Sequence, residues 1–221
     1  MHFSRVLALP LVAAAMFPFA AHAAASLMVD DASITGARRC QLESWARHTG
    51  GGHEWTAVPA CTLADTEWSL GISHQPAASS TQWALGAKRV LRDREQHRWG
   101  LALSAGLGND WHHLRGDEWG INAPVTIALG ASGRTLLHLN LGWARAPGSR
   151  GRTDGIGTEI ITAPRWSLLA ETARDPARQR RTQFGVRHEL WPGASLDLLA
   201  GRVHHRRDAH WMTLGFNVAS P

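Results

Sequence analysis

Residues 182–218, TQFGVRHELWPGASLDLLAGRVHHRRDAHWMTLGFNV, constrain the fold more than any other stretch. Three runs of about ten residues each alternate in character. Phe184 and Val186, then Leu196, Leu198 and Ala200, then Met212, Leu214, Phe216 and Val218 mark one face. Arg187 and Glu189, Asp197 and Gly201, and Thr213, Gly215 and Asn217 mark the other. A strand sends successive side chains to opposite faces, so one side is apolar and the other carries glycine and charge. The first join, at 191–194, is tight, and the second, at 204–209, is longer and polar. Alternating strands of this length, joined by short and long connections in turn, mark a transmembrane β-barrel. A soluble β-sandwich can imitate three such strands, so the remainder of the chain must fit as well.

It does. Nine further strands are expected at 38–48, 54–63, 66–73, 82–91, 98–107, 118–129, 135–144, 153–162 and 166–174. The total of about twelve predicts an all-β, antiparallel, up-and-down barrel. Tight turns are expected at 64–65, 93–95, 130–133, 163–165 and 191–193, and longer polar loops at 74–80, 108–117, 147–152, 175–181 and 204–209. With the N-terminus in the periplasm, every tight turn falls on the periplasmic side. Pro59 marks a bulge or unpaired point, because proline lacks the ladder N–H. A Gly-rich loop at 49–52 returns the first strand, and if Arg47 lies opposite Glu54, Cys40 lies opposite Cys61. The two cysteines are then expected to form a cross-strand disulfide.

Export is read from the start of the chain. MHFSR is short and positive, 6–20 is apolar, and Ala21-His22-Ala23 is a small-x-small cleavage site. Residues 1–23 are therefore expected to be a signal peptide, 24–37 a periplasmic lead-in, and 38–221 the barrel. No later apolar run is long enough for a spanning helix. The formal net charge of +5 does not imply a nucleic-acid partner for an exported chain. Eleven tryptophans, close to one per strand, suit the interfacial girdles of an outer-membrane barrel in a Gram-negative envelope.

Parity assigns Leu70, Ile72, Leu85, Leu103, Ile121, Val125, Leu139 and Leu141 to the lipid face. The opposite face holds Glu43, Glu67, Lys88, His138, Glu159, Glu171, Arg187, Glu189 and Asp197 as lumen-lining residues. They either line a cation-tolerant pore or pair into a plug of salt bridges; inward glycines such as Gly86, Gly142, Gly185, Gly201 and Gly215 favour a passage. Arg150, Arg152, Arg178, Arg180, Arg181, Arg206 and Arg207 gather at the outer rim, where guanidinium forks suit lipopolysaccharide phosphates. Histidines are numerous near that rim but lack metal-ligand spacing, so no metal or other cofactor is expected. The one His-x-Ser pair is His2-Phe3-Ser4, inside the signal, and no strand face pairs a hydroxyl with a base, so no enzyme is expected.

The segments VDDASITG, CQLESW with a second cysteine about twenty residues on, LNLGWAR, GVRHELWPGASLDLLAG and HWMTLGF together resemble a proteobacterial outer-membrane family. That family is labelled for the meta pathway of phenol degradation and is transporter-like. The resemblance implies an outer-membrane barrel and passage of small solutes, including hydrophobic or aromatic ones. The alternatives are a non-conducting envelope barrel that binds lipopolysaccharide and a soluble periplasmic β-protein. The barrel-assembly machinery is an expected partner, although Phe216 is followed by five residues where such barrels often end on phenylalanine.

Overall fold

A computed structural model describes residues 26–111, 117–206 and 209–220, so the expected signal at 1–23 and the rim residue Arg207 lie outside the described residues. The strands are β1 (Cys40–Thr49), β2 (Gly52–Leu63), β3 (Thr66–Gln75), β4 (Ser80–Arg92), β5 (Trp99–Asp110) and β6 (Glu118–Leu129). They continue with β7 (Thr135–Ala146), β8 (Ser149–Ala163), β9 (Trp166–Arg174), β10 (Arg180–Trp191), β11 (Ala194–Val203) and β12 (His210–Ala219). Each pairs antiparallel with its sequence neighbours, and β1 pairs with β12, so the sheet closes into a barrel. Closure leaves no unpaired strand edge.

The alternation that predicted the strands also fixes their faces. Leu70, Ile72, Leu85, Leu103, Ile121, Leu141, Leu198 and Leu214 are exposed on the outer wall. Tryptophan brackets this wall at both ends. Trp68, Trp99, Trp166 and Trp191 lie near the terminal end, where β1 begins and β12 ends, and Trp55, Trp111, Trp119 and Trp143 near the far end; all are exposed. Trp45 and Trp211 depart from the expected girdle. Parity turns them inward with Glu43 and Thr213, and Trp211 donates its Nε1–H to Gln183 at 3.0 Å.

The connections differ from expectation. Residues 147–148 alone join β7 to β8, because Gly148, at φ +71°, closes a two-residue hairpin turn. β8 therefore extends back to Ser149 through the loop expected at 147–152. At the far end the connections run from two to seven residues, and at the terminal end from two to six, so the two ends are alike. Pro59 does interrupt its ladder: Ala57 pairs with Ile72 and Ala60 with Ser69, with nothing paired between. Pro124, which lacks the same N–H, interrupts β5–β6 between the pairs Leu101–Val125 and Ser104–Asn122. The β1–β2 register sets Arg47 opposite Glu54, and Cys40 and Cys61 form a disulfide.

Candidate functional site: a strapped lumen

The lead-in expected in the periplasm runs inside the barrel. Residues 26–37 form an irregular strap outside the strand ladders, so the strap's N–H groups need other acceptors. Lumen side chains supply them. Glu171 accepts from the N–H of Met28 at 2.7 Å and of Val29 at 2.9 Å. Asn140 accepts from Asp30 N–H at 2.8 Å and donates to the Asp30 carbonyl at 2.7 Å. Thr126 accepts from Ala32 N–H at 2.9 Å and shares a hydrogen bond with His138. Glu67 accepts from both the N–H and the hydroxyl of Thr35. Ser26 donates to Asp197 at 2.9 Å.

Small apolar contacts accompany these polar ones. Val29 is 2 % exposed and lies against β8, where a Cβ on Gly157 would sit 3.3 Å from the Val29 Cβ. Leu136, Leu169 and Leu199 also point inward and are buried. The room expected from inward glycines is thus partly filled. Ser26 stands against Gly215, Leu199 against Gly185 and the Trp211 ring against Gly201.

Glu43, Glu67, His138, Glu159, Glu171, Arg187 and Asp197 are buried inside the barrel, while Lys88 and Glu189 are half-buried there. Arg187 grips Asp197 with two bonds, at 2.7 and 3.0 Å, and reaches Glu159 at 3.4 Å. Lys88 bridges Asp30 at 2.7 Å and Asp31 at 3.3 Å, tying β4 to the strap. Burial pushes the Asp31 carboxyl up, but Lys88 and hydrogen bonds from Ser33 outweigh it and hold the carboxyl below its ordinary range. Carboxylates therefore outnumber these two cations inside the barrel. Glu43 stands apart, with no hydrogen bond or ion pair among the described residues.

Two cavities border the strap, and a third opens beside them. One of about 550 Å³ lies between the strap and the β3–β7 wall, lined by Lys88, Gly106, Gly120, Asn122 and Asn140. A second of about 450 Å³ lies toward the terminal end, and Ser33, Ile34 and Thr35 line both. A third of about 550 Å³ is lined by Glu43, Glu159, Arg187, Glu189 and Asn217, and Gln41 and Glu43 line the first as well. The strap thus narrows the lumen, and Glu43 stands where two of its spaces meet. The strap was not legible as such in the sequence, although the excess of inward carboxylates over inward cations was its visible trace.

At the far rim the arginines form separate groups. Arg178, Arg180 and Arg206, with Arg174, Gln179, His204 and His205, line a cavity of about 520 Å³. Arg150 and Arg152 lie apart on β8, across from Arg145 and Trp143, and Arg181 pairs with Asp175 at 3.2 Å.

Over residues 11–220 the chain matches the model of the family described as Uncharacterised conserved protein UCP029691. That description differs from the phenol-pathway label. No curated protein matches the chain significantly. Among solved structures it is similar to the KdgM porin, with a TM-score of 0.66 at 8% identity over 80% of this chain and 98% of that one. It is similar also to the Acinetobacter baumannii outer membrane protein Omp33, with a TM-score of 0.58 at 10% identity over 82% and 97%. The NanC porin gives 0.55 at 8% identity over 82% and 98%. A further KdgM structure is a complex with disordered oligogalacturonate. At such identities the likeness establishes the closed-barrel fold.

Proposed function

The chain belongs to that family, whose description assigns no activity, and from its geometry we propose an outer-membrane channel for small solutes, narrowed by its own N-terminal strap. The observation that carries this reading is a closed barrel, apolar outside and carboxylate-rich inside, with two cavities bordering the strap. An outer wall of exposed leucine and isoleucine between two tryptophan belts suits a bilayer and would be costly in water. This favours the membrane over the soluble periplasm. The signal at 1–23 and delivery of β12 to the barrel-assembly machinery belong to the same reading.

Oligogalacturonate is a chain of carboxylates, and a lumen with excess carboxylates repels such a solute. Small neutral or cationic solutes suit it better, aromatic ones included, and cavities of about 550 Å³ set their scale. Swelling of proteoliposomes in isotonic small sugars and polyols tests the reading. Swelling that falls with solute size supports a channel; none with any solute would leave a non-conducting envelope barrel.

One observation favours a compatible second role. The rim cavity of about 520 Å³ is walled by Arg174, Arg178, Arg180 and Arg206 with two histidines, and guanidinium forks match phosphate. Here we infer docking of lipopolysaccharide headgroups. Added lipopolysaccharide is expected to raise the unfolding temperature of the native chain and not of Arg178→Glu/Arg206→Glu; equal shifts would refute the docking.

A further inference from the structure

Glu43 projects from β1 into the lumen and is 8% exposed. The other buried carboxylates all have partners: Glu67 has Thr35, Glu171 has the strap amides, and Asp197 and Glu159 have Arg187. A buried carboxylate without a counter-charge is costly, so an isolated one leaves a place where a cation would be stabilised. The groups around it cannot fill that place. Lys88 is engaged by Asp30 and Asp31, while of the two arginines lining the same cavity Arg187 grips Asp197 and Arg165 donates to the Leu190 carbonyl at 3.3 Å. Glu67, Glu159 and Glu189 add further negative charge.

A second observation converges on the same point. Asn217 of β12 lies directly across the ladder from Glu43, and its Oδ1 is buried with no hydrogen-bond partner among the described residues. The amide orientation follows from its Nδ2, which donates to Ser195 at 3.2 Å and to Asp197 at 3.4 Å. Directly opposed side chains start from Cβ atoms about 5 Å apart. Two buried acceptors therefore stand side by side without a donor among the described residues. Glu43 and Asn217 line a cavity whose remaining wall includes Ile161, Pro164, Ala194 and Val218.

We propose that Glu43 and Asn217 bind the head of a small organic ammonium ion whose apolar body lies against Ile161 and Ala194. A primary ammonium offers three N–H donors, enough for the carboxylate and the amide oxygen together. A hard metal ion would need six or more oxygens, and these two residues do not provide them. The transported class this implies, small organic cations, rests on the channel reading; the binding site itself rests on Glu43 and Asn217.

Calorimetry on the full chain in detergent micelles tests it, with n-butylammonium, 1-butanol and butyrate as probes. Saturable binding of butylammonium is expected, at least tenfold tighter than either other probe, and Glu43→Gln is expected to weaken it at least tenfold. Equal binding of butylammonium to the native chain and Glu43→Gln would overturn the site, as would equal binding of the three probes to the native chain. The comparison of probes on the native chain decides the question even if Glu43→Gln fails to fold. Liposome swelling separates the two readings. Ammonium binding without swelling keeps the site and removes the channel, whereas swelling without ammonium binding does the reverse.

Discussion

Replacement of Glu171 by alanine is expected to loosen the strap. The carboxylate is 7% exposed and accepts the N–H groups of Met28 and Val29, besides the Gln183 amide. A hydrogen bond to a charged group is worth about 1.5–3 kcal/mol, so the two strap bonds together hold about 3–6 kcal/mol. At 1.4 kcal/mol per tenfold, the lower figure already raises local opening by about 100-fold. Other anchors remain in Glu171→Ala, at Asn140, Thr126 and Glu67. The change is therefore expected at the strap's first residues rather than along its whole length. Hydrogen exchange read by NMR in micelles is the assay. Amide exchange at Met28 and Val29 should accelerate about 100-fold or more, while Thr35 changes little and the barrel strands keep their protection. Glu171→Gln, which keeps one acceptor oxygen without its charge, should fall between the two. Exchange at Met28 and Val29 within threefold of the native rate would refute this anchoring.

Other outcomes follow from the same structure. Arg187→Met leaves Asp197 and Glu159 buried without their cation and is expected to cost about 3–5 kcal/mol in urea unfolding, whereas Arg187→Met/Asp197→Leu/Glu159→Leu should recover most of it. Cys40→Ser/Cys61→Ser opens a link across a sequence separation of 21 and is expected to lose about 3 kcal/mol, an effect reductant should reproduce in the native chain. Leu103→Arg, on the exposed outer face of β5, should weaken folding into vesicles by about 2–4 kcal/mol while an arginine in the far-end turn at Gly51 changes it little.

The barrel was legible because its signal is local and repeated. Strands β6 and β9 span the expected residues, and the Arg47–Glu54 register that predicted the Cys40–Cys61 bridge is the register observed. Parity also distinguished the exposed leucines from the charged lumen. The same parity places Trp45 and Trp211 inside, which the number of tryptophans alone does not reveal. Polarity alone does not distinguish loop from strand at 147–152, where Gly148 closes the turn at once and β8 continues.

The strap lay beyond local reasoning. Residues 26–37 have no strand period because their geometry is dictated by acceptors on distant strands. Ser26 meets Asp197 across a separation of 171 residues, and Val29 meets Glu171 across 142. No window along the chain contains both partners. The visible sign was an imbalance, since the inward face carries more carboxylates than Lys88 and Arg187 can neutralise. Backbone amides of the strap satisfy part of that excess at Glu171 and Glu67, which leaves Glu43 as the position no described residue answers.

Single-channel conductance in planar bilayers tests the central claim most directly, comparing the native chain with a chain lacking residues 26–36. Small, cation-selective steps are expected from the native barrel, and larger, less selective steps once the strap is gone. Identical steps from the two proteins, or silence from both, would contradict it.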